Sequence, residues 1–146
     1  MNSSPDRTKG LDRTTWGKGD SQHSIIRHIG ASGIRDLMNN SEYIEAFVHC
    51  QLGIEKILWD KIVGVFSGEK ASKVREAIDS WKKPTWTSEL VKWAYFLGAI
   101  DHDECEKLGD FNDKRNKIVH RQWWFGAEYK ESLKKGIDFL DKNGLS

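Results

Sequence analysis

Two cysteines and two prolines are all that the 146 residues contain of either type. Cys50 and Cys105 can close at most one bridge, so a disulfide framework is excluded and a reducing, cytoplasmic setting is expected. No run of about 18 apolar residues occurs, and the opening MNSSPDRTKG has no apolar stretch after its charges. Neither a membrane span nor a secretory leader is therefore expected. The chain also lacks an excess of one charge: 23 Lys and Arg stand against 22 Asp and Glu, a net +1. That removes the usual footprint of a nucleic-acid binder, an overall basic domain. A phosphate-cradling Gly-rich loop, a Ser/His/Asp order, a paired-carboxylate arrangement, a strand pattern and an internal repeat are likewise missing.

What is present is one chain long enough to bury a core without covalent staples. Its neutrality conceals a gradient. Lys and Arg number 6 against 4 acids in residues 1–40, 9 against 13 in 41–110, and 8 against 5 in 111–146. Residues 1–20 offer only Leu11 and Trp16 for burial and read as an arm, partly flexible. In 21–40, Ile25, Ile26, Ile29, Ile34, Leu37 and Met38 suggest a short helix despite Gly30 and Gly33. The division is thus an N-terminal arm, 1–40, and a helical domain, 41–146.

From Ser41, read as an N-cap with Glu42 and Glu45 in the first turn, apolar residues recur at helical spacing. Ile44, Phe47, Val48, Leu58, Ile62, Val65 and Phe66 mark a long helix that Ser67-Gly68 ends. A shorter helix over 70–81 buries Val74, Ala77, Ile78 and Trp81 and stops ahead of Pro84. Thr87 caps a third, which closes at Gly98. Asp101-His-Asp-Glu104 has the layout of a capping box and opens a fourth, to about His120. The last helix, 127–142, ends at Asn143-Gly144. The fold class is all-α, an antiparallel bundle.

Projection at 100° per residue places Glu55 in the middle of the first long helix's apolar stripe. Arg115 falls likewise between Leu108, Phe111, Ile118 and Val119. An isolated inward charge is costly, whereas an Arg–carboxylate pair satisfies both groups, so Glu55 and Arg115 are expected to touch.

Arg115 also begins the run Arg115-Asn116-Lys117-Ile118-Val119-His120. RNA transesterification needs a proton acceptor for the 2′-hydroxyl, a donor for the departing 5′-oxygen and a cation for the phosphate. Imidazole serves either proton role near neutrality, and guanidinium forks onto phosphate oxygens. Asn116, four residues before His120, can orient the imidazole or bind phosphate. Arg115 and His120 are five residues apart, about 140° around a straight helix. Either the helix loosens near its end, or a second copy of the chain brings complementary groups into one cleft.

Leu97-Gly98-Ala99-Ile100-Asp101, Leu108 and Arg115-Asn116-x-x-x-His120, behind a long helix with an acid in its apolar face, resemble the HEPN superfamily. The likeness spans about 41–142 and extends to mannitol-repressor-like proteins. It implies an up-and-down helical bundle, usually a homodimer, with the Arg-x-His motifs of two chains facing each other. It further implies a metal-independent, cofactor-free endoribonuclease, a toxin or antiviral abortive-infection effector, leaving a 2′,3′-cyclic phosphate and restrained by an antitoxin or other regulatory partner. Arg115, Asn116, His120 and Glu55 would be the catalytic set. Non-catalytic dimeric adaptors or transcriptional regulators of the same superfamily are the alternative. In the toxin branch regulated by nucleotide modification, a Tyr stands two residues after the His; here Gln122 does, so the resemblance does not carry that modification over.

Trp123 and Trp124 follow as candidate base-stacking rings, and Arg121 and Lys117 as candidate phosphate contacts. Core or interface roles compete for the Trp residues, and a solvated face competes for Lys117. His49-Cys50 with His102-x-x-Cys105 lacks the spacing of a known zinc module, and Cys105 reads better as a small core residue; no metal is expected. A helix-turn-helix over 87–120 fits a DNA backbone poorly because 101–110 is acidic.

Overall fold

The computed structural model describes residues 29–66, 68–80, 87–121 and 126–146, without the side chains of 78–80 and 121. Among these residues there are six helices and no strand, as the all-α reading expects: α1 Ala31–Asn39, α2 Tyr43–Val65, α3 Glu69–Ser80, α4 Thr87–Phe96, α5 His102–Arg121 and α6 Ala127–Lys142. No described helix is long and apolar enough to cross a membrane.

The central element is α2, about 35 Å long at 1.5 Å per residue, which packs against each of the other five helices. Ala46, Phe47, Cys50, Ile54, Ile57, Leu58 and Ile62 form its buried stripe. From α5 come Leu108, Phe111 and Ile118, and from α6 Leu133, Ile137, Phe139 and Leu140. Phe47 and Phe111 stack with ring centroids 5.2 Å apart, tying α2 to α5. Two helical glycines permit this closeness. A Cβ on Gly136 would meet the Cys50 sulfur and the Phe111 ring at 2.8 Å, and one on Gly53 would meet Leu140 at 2.9 Å.

Residues 31–39, which composition groups with the preceding arm, carry Ala31 and Ile34 fully into this core. The first N–H groups of α1 are satisfied from the far end of the chain: Ala31 donates to the Leu145 carbonyl and Ser32 to that of Ser146, each at 2.9 Å. Gly30 is required there, because a Cβ would lie 2.3 Å from the Ser146 carbonyl carbon. Arg35 clamps the same junction through Asp141 at 2.5 Å.

Three helices end alike. Ser41, Gly98 and Gly144 have φ of 63°, 77° and 84°, the left-handed conformation that closes a helix. Each is followed by an amide that reaches back five residues, Glu42 to Leu37, Ala99 to Ala94 and Leu145 to Leu140, at 2.8–2.9 Å. Ser41 is thus the terminator of α1. It is not the N-cap of α2, which starts at Tyr43 without a side-chain cap. The capping box of α5 forms as expected: Glu104 N–H donates to Asp101 Oδ1 at 2.8 Å and Asp101 N–H to Glu104 Oε1 at 3.1 Å. On α3, Val74 is half-buried and Ala77 exposed, while Trp81 and the Ile78 side chain lie outside the described residues. Val65, expected on the apolar face of α2, is 44% exposed.

Candidate functional site

The capping box fixes where α5 begins, and Leu108, Phe111 and Ile118 fix which side faces the core. Arg115 falls on that side by helical register and is half-buried, whereas Asn116, Lys117 and His120 are exposed. The Arg115 Nη1 donates to Asn116 Oδ1 at 3.2 Å, so the neighbouring amide braces the guanidinium. Its Nε is buried without a hydrogen-bond partner. Burial lowers the Arg115 pKa from its ordinary value, and the negative charge of Glu55 acts in the opposite sense. A guanidinium so far from neutral pH stays cationic.

Glu55 and Arg115 feel each other's charge but form no direct ion pair, which corrects the expected contact. The carboxylate is engaged elsewhere. Thr87, at the start of α4 and only 5% exposed, donates its hydroxyl to Glu55 Oε2 at 2.5 Å. Gln51, one turn earlier on α2, donates its amide to the same oxygen at 3.1 Å and to Thr87 Oγ1 at 2.6 Å. Thr87, the first helical residue of α4, is thus used across the interface. Two neutral donors hold the carboxylate from fixed positions on packed helices.

Thr87 and Gln51 join the candidate site beside the residues that helical projection singles out. Gln51 precedes Glu55 by four positions and shares its stripe, so the projection that singled out Glu55 contains the signal for it. Thr87 carried none, since a threonine opening a helix reads as a cap.

Lys117 pairs with Asp113 at 3.2 Å on the solvent side of α5. The Arg121 side chain, Gln122, Trp123, Trp124 and Phe125 lie outside the described residues. Cys105 is half-buried against the core, as expected, and Cys50 is fully buried, with burial pushing its thiol far above the ordinary range. His49 is half-buried with Nδ1 unpartnered; burial lowers its pKa against the opposing charge of Glu45. Among the described residues no group of three or more His, Cys, Asp or Glu could hold a metal ion.

The arrangement offers a half-buried guanidinium braced by Asn116 and, five residues on, a solvent-facing imidazole, groups chemically able to bind an anion and to move a proton. Comparison with protein-family models, curated proteins and solved structures finds no match to this chain.

Proposed function

We propose that the protein is a metal-independent endoribonuclease of the HEPN type, a toxin or antiviral effector that cleaves RNA to a 2′,3′-cyclic phosphate. The observation that carries the reading is the state of Arg115: cationic, braced by Asn116 and left without a direct carboxylate partner. An Arg locked in a bidentate ion pair would have its fork filled, whereas this one retains donors for a phosphate. On the same helix, His120 stands exposed to exchange protons with the 2′-hydroxyl or the departing 5′-oxygen. Arg115 then stabilises the charge that develops at the five-coordinate phosphorus, and Asn116 holds the guanidinium or a phosphate oxygen.

The reading includes an up-and-down bundle that works as a homodimer. With the two side chains about 140° apart on one helix, a single α5 does not aim both at one phosphorus, and apposing two copies supplies the missing group. RNA is the substrate, and an antitoxin or other regulatory protein is the expected partner. The non-catalytic alternative, a dimeric adaptor or transcriptional regulator, is favoured by one feature of α4. Trp93, Tyr95 and Phe96 are 57%, 39% and 71% exposed, a cluster of rings suited to a protein partner.

Incubation of the purified protein with single-stranded RNA in EDTA separates the two. Cleavage in EDTA that His120→Ala lowers by about 10²-fold or more is the expected result. Intact RNA, or cleavage indifferent to the substitution, would refute the enzyme and leave the adaptor.

A further inference from the structure

Glu55 lies where three helices meet. It projects from α2, is gripped by Thr87 of α4, and its charge reaches Arg115 of α5; each pair of these helices is in contact. The grip is a closed triangle. Gln51 donates to Thr87, Thr87 donates to Glu55, and Gln51 donates to Glu55, with separations of 2.6, 2.5 and 3.1 Å. Within this half-buried setting the Arg115 Nε–H has no acceptor, and a buried donor left unsatisfied is destabilising. A neighbouring carboxylate is the natural group to relieve it, yet Glu55 does not.

We propose that Thr87 and Gln51 are positioning residues that restrain Glu55 from closing onto Arg115, and so keep the guanidinium open for phosphate. Two opposed requirements explain the arrangement. The guanidinium needs a nearby negative charge to offset its desolvation, and it must not be captured by that charge. Holding the carboxylate with two neutral donors meets both. The consequence for cleavage rests on the ribonuclease reading above; the restraint itself does not.

Thr87→Val removes the hydroxyl at nearly constant volume and leaves Glu55 Oε2 held by the Gln51 amide alone, the longer of its two hydrogen bonds. The carboxylate then forks onto Arg115, and cleavage of single-stranded RNA falls roughly tenfold or more, as for the loss of a transition-state donor. Thr87→Ser restores the hydroxyl and activity. The diagnostic variant is Thr87→Val combined with Glu55→Gln, in which no carboxylate is left to capture Arg115; it is read by the state of the Arg115 side chain and not by cleavage, since Glu55 belongs to the proposed catalytic set. Gln51→Leu gives the same direction with a smaller loss and serves as the second arm should Thr87→Val fold poorly.

A readout independent of catalysis is the Arg115 Nε–H resonance in a nitrogen–proton correlation spectrum, assigned by its disappearance in Arg115→Lys. In Thr87→Val it shifts and exchanges more slowly with solvent, as a newly paired donor does. An unchanged resonance in Thr87→Val and Gln51→Leu, or a shift in Thr87→Val that persists when Glu55→Gln is added, would overturn the restraint. A wild-type protein without RNA cleavage would overturn the ribonuclease reading alone, since the resonance still decides the restraint.

Discussion

At the scale of single residues, packing is decided where helices come closest, and two glycines of the same helical kind make opposite predictions. Gly136 on α6 is in contact range of Cys50 and Phe111, both essentially unexposed, and Phe111 is held against Phe47. A methyl group there has no space to enter, and overpacking of this sort costs about 1–3 kcal/mol. The better helix propensity of alanine returns about 1 kcal/mol. Gly136→Ala is therefore expected to lower stability by roughly 1 kcal/mol, or about 2–4 °C in Tm for a chain of this size. Gly109 on α5 is exposed, with nothing within 4 Å of an added Cβ, so Gly109→Ala should raise stability by about 0.5–1 kcal/mol. Thermal melts of the pair check both signs; a neutral Gly136→Ala would show that α6 can retreat from α2 and α5 without loss.

Between elements, polar clasps add direction to that packing. Asp110 of α5 accepts from the fully buried Ser132 hydroxyl of α6 and from Lys114, and Lys135 of α6 lies 3.6 Å away. Desolvation pushes the Asp110 carboxyl up, but the Ser132 and Lys114 hydrogen bonds and the charges of Lys114 and Lys135 outweigh it and hold the carboxyl below its ordinary value. A group with a depressed folded pKa stabilises fully above its unfolded value, near 3.9, and that contribution disappears as pH falls through the folded pKa. Tm should accordingly fall as pH drops below about 4, and Asp110→Asn should flatten that dependence while costing stability at pH 7. Melts of both proteins between pH 2.5 and 7 provide the measurement, and parallel curves would remove Asp110 from the acid transition.

The same scale shows what a sequence can and cannot reveal. Gly98, Asn143-Gly144 and the Asp101…Glu104 box were legible because each is a local device, closed within six residues. Ser41 was not. It does a glycine's work in the left-handed region, and a serine before an acidic, apolar-periodic segment carries the opposite signal. In the candidate site, the inward register of Glu55 and Arg115 was legible from periodicity. Which donors the carboxylate takes was not, because Thr87 is 32 residues away in sequence and its hydroxyl is recruited only when α4 packs on α2.

For the whole molecule, the near-zero net charge carries less weight than it first does. Two of the cations near the motif are already committed, Lys114 to Asp110 and Lys117 to Asp113, which leaves Arg115, among the described Lys and Arg side chains of 111–120, poised for an external anion. One guanidinium with an imidazole about 140° away on the same cylinder is a weak phosphate site, and two such helices face to face make a stronger one. On the proposed reading, activity is then a property of the pair, and the fraction paired follows mass action. Specific activity, measured as cleavage per chain, should be constant at concentrations where light scattering reports a dimer and should fall on dilution as the dimer dissociates. The two curves should share one midpoint. A protein that is monomeric at micromolar concentration, or whose cleavage per chain is unchanged as dimers disappear, would place the complete site within one chain and require α5 to bend between Arg115 and His120.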